Sequence, residues 1–195
     1  MKSRHEIKLA LAERRLPKDV RAFREAAAKH AISRRDTWAL RGAQKASGVS
    51  HLLKVARGRT NIVELGTDSG WTTAAFVLAD PDCTVTTFDI VDRPHREEYW
   101  ALLSSEQRAR ITFEGLDGVQ AADRVADVDC LFIGSSHHRE PTVAEFNAWR
   151  PRLHSGALVV FENYRHPDYA GVEEAIGELG LQGMARAGHF VWSAP

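Results

Sequence analysis

From residue 61 onward the chain alternates short apolar or β-branched runs with stretches of helical character, and this alternation constrains the fold more than any other feature of the sequence. NIVEL (61–65), TVTTFDI (84–90), RITFEG (110–115), DCLFIG (129–134) and ALVVFEN (157–163) read as strands. The intervening stretches 69–79, 95–108, 117–125, 140–150 and 170–180 read as helices. Strands separated by helices predict a parallel sheet covered on both faces, a doubly wound α/β domain. Two further strands, near 181–186 and 188–193, are joined tightly around Ala187-Gly188, so the sheet is predicted to end in an antiparallel strand.

Before residue 60 the pattern is helical. Residues 4–14, 18–31, 36–47 and 49–56 read as four helices, the second following Pro17 with Asp19 in its first turn. The expected organisation is a helical arm over 1–59 and a Rossmann-like domain over 60–195. The net charge is zero, yet residues 1–60 carry 16 Lys and Arg against 5 Asp and Glu, leaving 10 against 21 for the rest. A basic arm packed on an acidic body, or on a second subunit, accounts for this. An anionic partner, either an acidic substrate or nucleic acid, is the alternative. No aromatic residues interleave with the basic ones in a nucleic-acid-binding pattern.

At 195 residues the chain suits one domain with a short appendage. No apolar run approaches the ~18 residues of a membrane span. The stretch MKSRHEIKLALAERR has no apolar core before a cleavage site, so no secretion signal is expected. Cys83 and Cys130 are too few for a disulfide framework or a zinc site and fall in or beside strand-like runs, which suits reduced, buried thiols. A cytoplasmic protein is expected.

The first strand runs directly into GTDSGWTT, a loop stripped of large side chains. In doubly wound sheets ligands bind beyond the carboxyl ends of the strands. Gly66 and Gly70 would let a ligand approach the backbone, and the helix beginning near Ser69 would present free N–H groups. The string Glu64-x-Gly66-x-x-x-Gly70 is not the GxGxxG of a pyrophosphate cradle. An acid ahead of the first glycine suits an ammonium-bearing ligand instead. Asp89 ends the second strand about 20 residues later, where a carboxylate can accept both ribose hydroxyls; capping a turn is the simpler role. Asp117 follows the third strand, placed either to reach an adenine or to cap the next helix.

Together ELGTDSGWTT, FDI, EGLDG, CLFIGSSHHRE and LHSGALVVFENYRHP resemble a class I S-adenosylmethionine-dependent methyltransferase, most closely its small-molecule O-methyltransferase branch. That resemblance covers about residues 60–193. It implies that Glu64, Gly66 and Gly70 line the methionine end of S-adenosylmethionine, that Asp89 holds the ribose with Ile90 beside the adenine, and that Ser69 contributes. Trp71 is a weaker candidate, more in keeping with a core position. The arm would cover the substrate and could pack across a homodimer.

The departures from that branch also carry information. Its metal-dependent members place an Asp after the fourth strand and an acid–amide pair after the fifth, where a cation holds adjacent substrate oxygens. Here the fourth strand ends in Gly134-Ser135 and the fifth in Glu162-Asn163, too few carboxylates for a hard cation, so methyl transfer to a small-molecule oxygen without a metal is expected. His137 and His138 follow at the mouth of the sheet, and either could take the acceptor's proton or simply be a solvated loop residue. His166 is a lesser candidate and Tyr164 a pocket-lining one. The rival readings are a same-fold enzyme with non-methylating chemistry such as cyclisation or decarboxylation, a nucleic-acid methyltransferase or binding module using the basic arm, and a non-catalytic partner subunit.

Overall fold

The computed structural model describes residues 13–195. The helix expected at 4–14 lies almost wholly outside the described residues. The arm consists of α1 (Lys18–Arg34), α2 (Thr37–Gly42) and α3 (Ala46–Val55). Then follow β1 (Asn61–Leu65), α4 (Trp71–Ala79), β2 (Thr84–Phe88), α5 (Arg96–Trp100), α6 (Ser105–Arg108), β3 (Ile111–Glu114), a 3-10 turn (Gln120–Asp123), β4 (Val128–Ile133), α7 (Arg139–Trp149), a second 3-10 turn (Arg150–Arg152), β5 (Leu153–Phe161), α8 (Gly171–Glu178), β6 (Met184–Arg186) and β7 (His189–Ser193).

The seven strands form one sheet in the order β3-β2-β1-β4-β5-β7-β6. The pairs from β3 through β5 are parallel, and β7 runs antiparallel to both its neighbours. The β6–β7 connection is a two-residue turn at Ala187 and Gly188, both at positive φ, as a tight hairpin requires. The order reverses between β1 and β4, and this reversal opens a crevice at the carboxyl end of the sheet.

Alternate residues of each strand serve the two faces. Ile62, Cys130, Phe132 and Val160 pack with the arm and α4 through Phe23, Ala27, Leu52, Ala74 and Phe76. Val63, Leu65, Leu131, Ile133, Val159 and Phe161 pack on the other face with Phe146, Trp149, Val172 and Ile176 of α7 and α8. Both faces are therefore covered, which is why the central strands are buried along almost their whole length. Three expected helices differ; that of 36–47 ends at Gly42, and the next begins at Ala46 rather than 49. The 95–108 stretch forms two short helices, because Ser104 caps α6 in a reciprocal capping box with Gln107 and so restarts the helix. The 117–125 stretch forms only a 3-10 turn.

The arm lies on the sheet as a lid over the first face. Tyr99 Oη donates to Asp36 at 2.7 Å and Arg34 and His30 meet Glu98, while within the arm Arg24 donates to the Gln44 carbonyl at 3.0 Å. Part of the arm's positive charge is thus matched by the body it covers.

Candidate active site

The switch-point crevice opens into a cavity of about 1110 Å³, walled by the glycine loop, the ends of β2, β4 and β5, and the 38–48 segment of the arm. The loop is held by its own amides. Gly66 N–H donates to the Phe88 carbonyl at 2.9 Å, Asp68 N–H to the Asp89 carboxylate at 2.8 Å, and Gly70 N–H to the Thr67 carbonyl at 2.8 Å. Gly66 and Gly70 both have positive φ. A Cβ on Gly66 would stand 2.6 Å from the Ser135 backbone, and one on Gly70 would collide with Trp100 Nε1 and stand 2.6 Å from its Cε2; that Nε1 donates to the Gly70 carbonyl. Both positions require glycine because the protein itself approaches them, in addition to lying on the cavity wall.

Among the residues singled out from the sequence, Gly66, Ser69, Gly70, Asp89, Ile90, Asp117 and His137 line this one cavity. Asp89 accepts from Asp68 N–H and Val91 N–H, both at 2.8 Å, which fixes its carboxylate at the end of β2 and leaves lone pairs for a ligand. Ile90 is 73% exposed beside it, an apolar surface in want of a flat partner. Asp117 Oδ1 accepts from Val119 N–H at 2.9 Å at the entry to the 3-10 turn, and the residue also lines the cavity wall. Trp71 packs in the core, yet its buried Nε1 has no partner and the residue reaches the cavity.

Glu64 and His138 stand apart from the cavity lining. The Glu64 side chain points to the arm-covered face beneath the loop, where the Thr73 and Thr87 hydroxyls donate to one oxygen and the other has no partner. Its complete burial pushes its pKa up to about 8. His138 is exposed at the start of α7. His137 is partly buried instead, and burial, with help from His166 and His138, lowers its pKa. His137 Nε2 lies 2.7 Å from Asn163 Nδ2 and its ring stacks on Tyr169, which stacks in turn on His166. Whichever way the Asn163 amide is turned, Nε2 is engaged by it.

The cavity also gathers residues that sequence reasoning did not single out. Trp38 of α2 donates to the Asp68 carboxylate, which also accepts from Arg93 Nε at 3.1 Å, and the Arg93 guanidinium lies 4.2 Å over the Trp38 ring. Gln44 presents a buried amide with neither atom partnered. Glu145 receives the Ser135 hydroxyl, and burial raises its pKa to about 7. Nothing in the local sequence marks Trp38 or Gln44, because they join the site only when the arm folds over it.

The two groups that the resemblance brings into question fare differently. A nucleoside carrying a methionine fits the donor set: a fixed carboxylate at the end of β2, an exposed apolar flank and unpartnered buried polar atoms on the wall at Trp71 and Gln44. A divalent cation does not fit. A Cβ at Gly134 would stand 2.8 Å from Glu162 Oε2, so Glu162 fills the space a second carboxylate would need, and Asn163 is committed to His137. Among the described residues no three His, Cys, Asp or Glu side chains gather as a metal site.

A seven-stranded sheet of this order, closed by an antiparallel strand and carrying an acid-flanked cavity at its switch point, defines a class I S-adenosylmethionine-dependent methyltransferase. The chain belongs to the methyltransferase-domain family, whose model matches residues 63–164. Among solved structures it is similar to a candidate caffeoyl-CoA O-methyltransferase from Staphylococcus aureus, with a TM-score of 0.60 and 16% identity over 75% of this chain and 82% of that one. It is also similar to CalS11, a TDP-rhamnose 3'-O-methyltransferase of calicheamicin biosynthesis, with a TM-score of 0.59 and 15% identity over 99% and 96%. A third likeness is to the MycE methyltransferase of mycinamycin biosynthesis in complex with Mg and SAH, with a TM-score of 0.56 and 18% identity over 74% and 48%. At these identities the likenesses establish the fold. No curated protein matches the chain by sequence. No helix among the described residues is long and apolar enough to cross a membrane.

Proposed function

We propose that this chain methylates a hydroxyl of a small-molecule acceptor and does so without a metal ion. The observation that carries the reading is the single cavity joining Asp89 and the glycine loop to a polar end made by His137, Asn163 and Glu162. Bound S-adenosylmethionine would supply an already activated methyl group, so the protein's task is alignment, removal of water and disposal of one proton. Asp89 holds the ribose hydroxyls, Ile90 flanks the adenine with Asp117 nearby, and Gly66, Ser69 and Gly70 shape the wall for the amino-acid end. Glu64 acts from beneath the loop: a ligand ammonium above it would favour loss of the Glu64 proton and so meet a carboxylate with one unpartnered oxygen. Trp38 and Gln44 place the arm as a roof over the acceptor. Of the two histidines, His137 belongs to the end where the proton leaves; His138, exposed and outside the lining, is the weaker choice.

The O-methyltransferases among the similar structures support oxygen as the methylated atom. Free, buried Cys83 and Cys130 suit a cytoplasmic setting, and the exposed Ile32 and Leu40 of the arm suit a homodimer contact. Incubation with methyl-labelled S-adenosylmethionine, a panel of phenols and sugars, and a chelator tests the reading. Label should pass to one acceptor class despite chelation. Transfer only to RNA or DNA, or turnover without S-adenosylhomocysteine, would refute it.

A further inference from the structure

Three features meet at the carboxyl end of β5. Glu162 continues the alternation of Leu158 and Val160, so its side chain turns to the arm-covered face of the sheet. It lies over Gly134 at the end of β4, its Oε2 2.8 Å from where a Cβ there would stand, and Gly134 adjoins the loop residue Ser135 that presses on Gly66. From the arm, the buried amide of Gln44 faces it and partly offsets the effect of burial on its pKa. No Lys, Arg or His side chain neutralises Glu162 among the described residues; the ionisable groups that act on it or feel it are Asp68 of the glycine loop and Glu64 of β1, both acids. A half-buried carboxyl without a cation, opening onto a ligand cavity, is costly to the fold.

Building on the proposed methyl transfer, we infer that Glu162 is the catalytic base, taking the acceptor's hydroxyl proton while the Gln44 amide positions that hydroxyl. As the acceptor oxygen bonds to the methyl carbon, it gives its proton to the Glu162 carboxylate; the electron pair of the broken carbon–sulfur bond stays with sulfur. Glu162 then returns the proton to water when the product leaves. Burial supports the choice of Glu162 over its neighbour. It disfavours the charged form of each group, raising the acid to about 7 and lowering His137 below its ordinary value. The proton therefore goes to the carboxylate in preference to a ring already bound to Asn163. Glycine at 134 has a purpose in this account, since any larger residue would displace the base.

The test reads Glu162 directly and needs no acceptor. The protein, labelled with ¹³C at its glutamate side-chain carboxyls, is titrated by NMR in complex with S-adenosylmethionine and with S-adenosylhomocysteine, using Glu162→Gln to assign the signal. The Glu162 midpoint is expected near 7 in the neutral thioether complex and lower by about one unit or more, a tenfold fall in proton affinity, beside the sulfonium charge. Glu162→Gln should bind S-adenosylhomocysteine within about twofold of wild type, because a base for the acceptor contributes little to product affinity. Equal midpoints in the two complexes would overturn the assignment, as would an ordinary carboxylate midpoint or a collapse of S-adenosylhomocysteine affinity in Glu162→Gln. His137→Asn must leave the sulfonium-dependent shift in place. Failure of both nucleosides to bind would refute the proposed function itself, an outcome distinct from binding with unshifted midpoints.

Discussion

Replacing Glu64 with Gln isolates the least comfortable charge in the protein. The carboxyl is fully buried and holds its proton up to about pH 8, against an ordinary value of 4.5. Because the folded-state pKa is the higher one, the native protein binds more protons than the unfolded chain between those values. Glu64's contribution to stability is therefore greatest below about 4.5, falls as pH rises through the interval and levels off above about 8. The interval spans 8 − 4.5, about 3.5 units, and at ~1.36 kcal/mol per unit the full loss is of order 5 kcal/mol. A neutral amide has no such dependence. It also sets an N–H₂ where the unpartnered oxygen lay, an added cost of about 1–3 kcal/mol. Glu64→Gln should thus be somewhat less stable than wild type at pH 5 and more stable at pH 8.5. Urea unfolding of both proteins at half-unit pH steps measures this. Parallel stability curves across pH 5–8 would refute the assignment of a protonated Glu64.

Three other substitutions probe separate parts of the account. Asp89→Asn keeps the side chain's size but replaces one of two accepting oxygens by an N–H₂, so S-adenosylhomocysteine affinity by calorimetry should fall about 10–100-fold; an unchanged affinity would remove the ribose role. Gly70→Ala meets both a positive φ and the Trp100 indole, and should cost about 2–4 kcal/mol in chemical denaturation, more than Gly156→Ala, where φ is also positive but the space is open. Gly134→Asp presses a second carboxylate on Glu162, so its melting temperature should drop more at pH 8 than at pH 5.5, with no rescue by magnesium; magnesium-dependent stabilisation would show that the cation site needs only that carboxylate.

The sequence shows the scaffold because local and global preferences agree there. NIVEL forms the 61–65 strand with the bounds expected of it, and the Ala187-Gly188 turn joins β6 to β7 as expected. Asp89, Ile90, Asp117 and His137 gather because position at a strand's carboxyl end already places them. The direction of Glu64 was not legible. Both faces of this sheet are covered, so an acid inside a fully buried strand gives no sign of which face it serves. The glycines were assigned to ligand approach, whereas Gly70 also answers to Trp100, a residue 30 positions away that no loop pattern reveals. Gln44 and Trp38 were invisible for a related reason: only the docking of the arm brings them to the cavity. Glu162 attracted notice as the remnant of a cation site, but its unneutralised burial, the property that suggests chemistry, exists only in three dimensions.

The central claim is that this cavity binds S-adenosylmethionine and works without a metal. Calorimetric titration with S-adenosylmethionine and S-adenosylhomocysteine, each with magnesium and after chelation, tests it most directly. The account expects both nucleosides to bind one site per chain with affinities indifferent to magnesium. Binding that requires the metal would contradict the reading of Gly134 and Glu162, and the absence of binding would contradict the function as a whole.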